Sequence, residues 1–238
     1  MNLIIDQGNT FCKLALFDGD EMFQQFKVEN KQIDTLKESL RSFTIERAIL
    51  ATVSDASALI AILDDLQITW VTLGAHSVLP IALRYETPET LGLDRIAAAV
   101  GAWKLSPNTC NLIIDIGTAV TYDISTPQEG FLGGNIAPGL DMRLEALHHF
   151  TQRLPLTQRR ENAHYFARST TEALQNGAQI GIVAEINHYI DYALHKYGDI
   201  SVFLTGGDAS FFEKKIKNSI FVVPNLLMIG LLEILKNN

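Results

Sequence analysis

Two short stretches of this chain carry residue types that can handle phosphate. Leu3-Ile4-Ile5-Asp6-Gln7-Gly8-Asn9-Thr10 and Leu112-Ile113-Ile114-Asp115-Ile116-Gly117-Thr118 share one order: an apolar run, an aspartate, any residue, a glycine and a polar residue. The apolar runs are rich in β-branched residues and suit buried strands. A strand that stops at an aspartate and turns at a glycine exposes backbone N–H groups beside a carboxylate. Such a bend can cradle phosphate oxygens while the carboxylate faces a cation. Glycine would serve a tight turn at φ > 0 and allow close approach of a ligand. An Asp-Gly hairpin with no ligand is the plainer reading of either copy alone.

The copies lie about 110 residues apart, well beyond the ~20–50-residue period of a solenoid, so a duplicated domain is the better explanation. Further candidates fall between and after them. In Tyr85-Glu86-Thr87-Pro88-Glu89-Thr90-Leu91-Gly92-Leu93-Asp94-Arg95, the proline and glycine mark a loop ahead of an Ala-rich helix, Ile96 to Lys104. Asp94 is either a helix cap or a base that accepts a proton from an attacking hydroxyl. Arg95 is either a surface ion-pair partner or a planar fork for a substrate carboxylate. Ala97, Ala98, Ala99 and Ala102 would let this helix pack closely, another subunit being one candidate partner. Gly133-Gly134-Asn135-Ile136-Ala137-Pro138-Gly139 reads as a tight turn into a helix at Leu140–His149, whose N-terminus would attract anions. Thr205-Gly206-Gly207-Asp208 reads as a turn on which a nucleotide base or ribose could lie.

The elements that must position these groups alternate between strand and helix. The Asp6 hairpin is followed by a strand at Glu21–Val28, a helix at Lys31–Phe43, a strand at Arg47–Val53, a helix capped by Ser54 or Asp55, and a strand at Ile68–Leu73. That order, β-β-β-α-β-α-β, is what a ribonuclease-H-like half gives. Pro107-Asn108 is the candidate boundary, which divides the chain into residues 1–107 and 108–238. In the second part, residues 154–168 read as an irregular excursion. A long helix follows at about Glu172–Lys196, capped by Ser169 or Thr170. A strand at Ser201–Leu204, a short strand at Phe221–Val223 and a final helix through Leu235 complete the pattern.

Composition narrows the class. The chain has 238 residues, 47% of them hydrophobic, and a net charge of −8, which argues against general nucleic-acid binding. No run approaches the ~20 apolar residues of a membrane helix. The N-terminus enters a strand directly, without a signal peptide, so a cytoplasmic protein is expected. Two cysteines, Cys12 and Cys110, are too few for a disulfide framework. The six histidines show no metal-ligand spacing.

Taken jointly, these motifs resemble type III pantothenate kinases of the actin/Hsp70/sugar-kinase superfamily. The resemblance runs through Asp6–Lys13, Gly92–Arg95, Asp115–Ala119 and Gly133–Gly139. It implies an α/β fold of two ribonuclease-H-like (actin-like ATPase) domains with a cleft between them. It also implies ATP-dependent phosphorylation of pantothenate in coenzyme A synthesis. On this resemblance Asp6, Gln7, Gly8, Asn9, Thr10, Phe11, Cys12 and Lys13 form the first loop for ATP and its Mg²⁺, and Thr118 touches phosphate in the second. Asp115 helps hold K⁺ or NH₄⁺, and Asp94 is the base for the pantothenate hydroxyl. Tyr85, Gly92, Leu93, Asp94, Arg95 and Thr170 line the pantothenate pocket. Ser169 stands where relatives often have Asn, which leaves Thr170 or Thr171 open as the contact. A homodimer with its substrate site at the subunit interface is implied as well. The competing readings are another phosphotransferase of the superfamily and a non-catalytic regulatory accessory factor.

Overall fold

The computed structural model describes residues 1–74, 76–161 and 163–238. They form two compact units, Met1–Leu105 with Asn225–Asn238, and Ser106–Pro224.

The first unit opens with three antiparallel strands, β1 (Asn2–Gln7), β2 (Phe11–Asp18) and β3 (Glu21–Glu29). A 3₁₀ turn at Asn30–Thr35 leads into helix α1 (Leu36–Arg41). Then come β4 (Arg47–Thr52), α2 (Ser57–Asp65) and β5 (Thr69–Thr72). The sheet order is β3-β2-β1-β4-β5, with β4 and β5 parallel to β1. Side chains alternate across a strand, so Leu3 and Ile5 of β1 and Cys12, Leu14 and Leu16 of β2 face one side. There they pack with Ile33, Leu36, Leu40, Leu59 and Leu63 of the helical segments. The expected single helix at Lys31–Phe43 is a 3₁₀ turn and a six-residue α-helix. Apolar spacings of three and four residues fit both windings.

The opposite face of this sheet is covered by α3 (Leu93–Leu105) and α7 (Leu226–Lys236), which pack on each other and on the central strands. Residues 225–238, read from the sequence as the end of the second half, therefore group with the first unit. The Ala-rich helix packs closely against α7 within the same unit. Its close approach is set by glycine: a Cβ on Gly230 would run into the carbonyl of Ala97, and one on Gly101 into the carbonyl of Leu226. At the far end of the helix pair Lys104 and Lys236 both reach Glu233, at 3.1 and 2.6 Å, and both pair with Asp20.

The second unit repeats the plan. Strands β6 (Cys110–Ile116), β7 (Ala119–Thr126) and β8 (Gly130–Pro138) are antiparallel. Helices α4 (Leu140–His149) and α5 (Thr170–Tyr197) follow, then β9 (Ile200–Thr205), α6 (Ala209–Glu213) and β10 (Phe221–Val222). The sheet order β10-β9-β6-β7-β8 is the first sheet's order with the strands replaced one for one. Leu174, Ala178, Ile182, Ile186 and Ile190 make one stripe of α5, laid on Leu112, Ile114 and Ile116. Most of the Gly133–Gly139 motif lies within β8, which runs on to Pro138, so the turn into α4 is Gly139 alone.

The glycine contact between α3 and α7 sets a stability test. Gly230→Ala forces a methyl group against the Ala97 carbonyl, and overpacking of this kind costs about 1–3 kcal/mol. We expect a thermal midpoint lower by roughly 3–10 °C in differential scanning calorimetry. An unchanged midpoint would show that the helices can separate at no cost.

Candidate active site

Asp6 and Asp115 hold the same place in their units, next to last on the central strand. By strand alternation Asp6 lies on the sheet face that α3 and α7 cover, and Lys13, its direct cross-strand partner on β2, shares that face. Asp94 opens α3, on the same side. The charges register this grouping. Burial pushes the Asp6 carboxyl above the ordinary aspartate range; the Lys13 ammonium opposes that shift and the like charge of Asp94 adds to it.

The loop between β1 and β2 is Gly8-Asn9-Thr10. Its N–H at Gly8 is spent on the Phe11 carbonyl at 3.0 Å. Its carbonyls are tied back by residues that no local motif singles out. The Asn30 amide donates to the Gly8 and Asn9 oxygens at 2.9 and 3.0 Å, and the Asn30 N–H donates to the Thr10 oxygen at 3.0 Å. Ser54 Oγ adds a bond to the Gly8 oxygen at 3.2 Å. Gln7 is only 2% exposed, and its amide is committed to the Asp55 carbonyl and the Thr52 hydroxyl. Its side chain therefore braces the strand end and does not face solvent. Cys12 also points away, into the helix-covered core. Burial and the Asp6 charge push its thiol up to about 12, so it is inert at neutral pH. Asn9, Thr10, Phe11 and Lys13 are exposed, and the Lys27 ammonium sits 4.2 Å over the Phe11 ring.

Of the two expected reasons for glycine at Gly8 and Gly117, a turn at positive φ does not hold. Neither has positive φ, and a Cβ on either would meet only ordinary contacts. The fold itself thus does not require glycine at these points, which leaves the approach of a ligand as a reason for it.

The second group of predicted residues on the first unit surrounds the start of α3. The Asp94 carboxylate turns back so that Oδ1 accepts the Arg95 N–H at 2.8 Å. It stays exposed, and a side chain on Gly92 would collide with it. Asp94 is the second residue of α3, so it is a first-turn carboxylate and not the helix cap that the sequence also allowed. Arg95 is 6% exposed and its guanidinium lies 5.7 Å from the centre of the Tyr85 ring. Leu93 is half-buried at the first helical position. Tyr85, Gly92, Leu93, Asp94 and Arg95 are therefore one local cluster.

On the second unit the hairpin is two residues long, Gly117-Thr118, with Thr118 exposed at its tip. Backbone braces it from two sides. The Gly139 N–H donates to the Thr118 oxygen at 2.9 Å, and the Asp208 N–H to the Ile116 oxygen at 2.9 Å. Gly206 has φ +95° and lies so close that a Cβ would strike the Asp115 carboxylate and the Ile116 carbonyl. Arg159, from the irregular segment, bonds Asp208 at 2.6 Å and Asp141 at 2.9 Å. This clamp on the Gly206-Gly207 turn has no signature in the sequence. Thr170 is exposed at the first position of α5, where Ser169 supplies the cap by accepting the Glu172 N–H at 3.3 Å. It thus belongs to the second unit, whereas Tyr85–Arg95 belong to the first.

Among the described residues no cluster of three or more His, Cys, Asp or Glu side chains forms a ready metal site. A divalent ion at Asp6 would take its other ligands from phosphate and water oxygens, as Mg²⁺ does in phosphoryl-transfer enzymes. The raised carboxyl of Asp6 fits that role, since a cation would relieve the penalty on its charge.

Known proteins match this chain over most or all of its length. The family profile of type III pantothenate kinase matches residues 2–192. A type III pantothenate kinase of Bacteroides fragilis is 43% identical over 239 aligned residues, covering 100% of this chain and 98% of that protein. One from Cytophaga hutchinsonii is 39% identical, with 100% of both chains covered. Among solved structures, a Campylobacter jejuni protein assigned to the Baf family of transcriptional activators is 25% identical, with a TM-score of 0.61 and coverage of 98% and 97%. An Arthrobacter polyphosphate/ATP-glucomannokinase, 11% identical over 99% and 98% of the two chains at a TM-score of 0.50, shares the fold. The chain belongs to the type III pantothenate kinase family.

Proposed function

We propose that this protein transfers the γ-phosphoryl group of ATP to the primary hydroxyl of pantothenate, the entry step to coenzyme A. The observation that carries this reading is the grouping of Asp6, Lys13 and Asp94 on one face of the first unit, felt in the raised carboxyl of Asp6. Phosphoryl transfer asks a protein mainly for positioning and charge compensation. Lys13 and the loop Gly8–Thr10 hold the phosphates; Thr118, exposed at the tip of the second hairpin, is included as a phosphate contact on the family resemblance. Mg²⁺ beside Asp6 would offset phosphate charge. Asp94, exposed and oriented by the Arg95 N–H, accepts the hydroxyl proton. Arg95 grips the pantothenate carboxylate, with its guanidinium held in place by Tyr85, while Gly92 and Leu93 shape the pocket. Thr170 is included on the family resemblance alone.

A monovalent cation, K⁺ or NH₄⁺, is proposed at Asp115. Its carboxylate and the Ile116 carbonyl lie together against Gly206, and oxygen donors of this type suit a hard cation. The homodimer is supported by the outer side of α4, where Met142 and Leu147 are exposed and Phe150 beyond its end is 82% exposed. Apolar side chains grouped in this way call for a covering surface, and a second copy is the occupant proposed. ATP as donor supports a cytoplasmic location. The Campylobacter relative's assignment favours a regulatory role as the second reading; the intact carboxylate pair of the first unit argues for catalysis.

The deciding assay is ATP-dependent phosphorylation of pantothenate with Mg²⁺ and either K⁺ or Na⁺ as sole monovalent cation. We expect turnover that depends on K⁺. No turnover from folded protein under any cation would overturn the kinase reading in favour of the regulatory one. Asp94→Asn should keep ATP binding and lower kcat by at least ~10², the usual cost of losing one transition-state contact; near-normal kcat would remove Asp94 from the base role.

Asp6 gives a pH prediction of definite sign. Its folded-state pKa is raised, so its contribution to stability is present below the ordinary aspartate value and is lost as pH rises through the raised one. At neutral pH the charged carboxylate opposes folding of the ligand-free protein. Asp6→Asn should therefore raise the thermal midpoint of the ligand-free protein at pH 7.5. The gain should vanish near pH 4, while turnover and stabilisation by Mg²⁺-ATP are lost. A lower midpoint at pH 7.5 would contradict the charge penalty.

A further inference from the structure

The two hairpins are braced by the same backbone bond. The residue immediately after the third strand of each unit donates its N–H to the carbonyl of the last loop residue: Asn30 to Thr10 at 3.0 Å, Gly139 to Thr118 at 2.9 Å. The units then diverge. The second loop has two residues, and any side chain at Gly139 would collide with the Gly117 and Thr118 carbonyls. The first loop has three, which leaves two further carbonyls, Gly8 and Asn9, to be held. Asn30 holds both with one amide, at 2.9 and 3.0 Å. The amide cannot be reversed without setting Oδ1 against two carbonyl oxygens, so its orientation is fixed by the loop it binds.

We propose that Asn30 is a positioning residue for the ATP phosphates. A peptide unit that turns its C=O toward one side turns its N–H toward the other. By drawing the Gly8 and Asn9 oxygens toward itself, Asn30 directs the N–H groups of Asn9 and Thr10 away from the body of the unit. Oriented backbone N–H groups form an anion-binding concavity. Without the amide, the Asn9 carbonyl would be free to rotate outward and present a negative dipole to phosphate, and the Gly8 carbonyl would keep only the Ser54 bond at 3.2 Å. The inference rests on the reading of Asp6–Lys13 as the ATP loop. It adds a residue that touches neither substrate and acts on ATP alone.

The test is steady-state kinetics of Asn30→Ala, Asn30→Ser and Asn30→Asp, with Lys13→Ala as the control for the loop reading. Loss of two hydrogen bonds in Asn30→Ala should raise KM for ATP about tenfold or more, with KM for pantothenate changed less than about twofold. Asn30→Ser keeps one donor and should fall between Ala and wild type. Asn30→Asp faces two carbonyls with a carboxylate and should be the most impaired. A merely structural role would lower the thermal midpoint without separating the two KM values. Unchanged KM for ATP in Asn30→Ala, with Lys13→Ala impaired, would overturn the role of Asn30. Unchanged KM for ATP in Lys13→Ala as well would overturn the loop reading on which it rests. Should Asn30→Ala fail to fold, an Asn30→Ser variant with KM for ATP equal to wild type would overturn the role equally.

Discussion

An aspartate held at the end of a buried central strand is the constraint on which the first unit depends. Burial penalises the charge of Asp6, the neighbouring Asp94 adds to the penalty, and Lys13 relieves it in part. Such an arrangement is unfavourable for a protein that merely has to fold. On the proposed reading, a cation bound with the phosphates beside Asp6 would relieve that penalty. The sheet around it is built to hold that carboxylate still. Both flanking strands, β2 and β4, are hydrogen-bonded to β1 through its last residue, and Gln7 locks the strand end to Thr52 and Asp55.

Duplication explains why two such strands exist, and the differences between the copies show how each is stabilised. The second hairpin is short, braced by the backbone N–H groups of Gly139 and Asp208, and closed in by glycines at Gly139 and Gly206. The first is longer by one residue and relies on side chains, Asn30 and Ser54. A brace made of backbone is insensitive to substitution except at glycine itself, where a Cβ has no room. A brace made of side chains can be lost by a single polar-to-apolar change. The two hairpins therefore present different mutational targets although they share one register.

Much of this was legible in the sequence because it is local. Alternating apolar residues, Asp-x-Gly turns and the Gly-x-Asp-Arg step announce strands, hairpins and a helix start within a few residues of themselves. The order of elements through Thr72 was readable for that reason, as were the places of Asp6, Asp115, Asp94 and Arg95. What escaped depends on contacts distant in sequence. Nothing near Gly230 says that it lies on Ala97, so the last helix was assigned to the wrong neighbour. Asn30 looks like an ordinary polar residue after a strand, and Arg159 sits in a segment without periodicity. At Gln7 and Cys12 strand alternation turns the side chains into the protein, so neither presents its side chain beside the Gly8–Thr10 loop.

The α3–α7 pair links these observations. Asp94 and Arg95 are the second and third residues of α3, so their position is only as fixed as that helix. Gly101 and Gly230 allow α3 and α7 to approach until backbone meets backbone, and a contact of that kind tolerates little sliding or rotation. The ion cluster of Lys104, Lys236, Glu233 and Asp20 secures the other end of the pair. α7 comes from the end of the chain, some 130 residues after α3, so the first unit is complete only after the second has been threaded between its parts. The carboxylate read as the base is thus positioned by a helix whose own support arrives last in the sequence, and this accounts for a C-terminal segment that carries no candidate site residue yet is almost entirely buried.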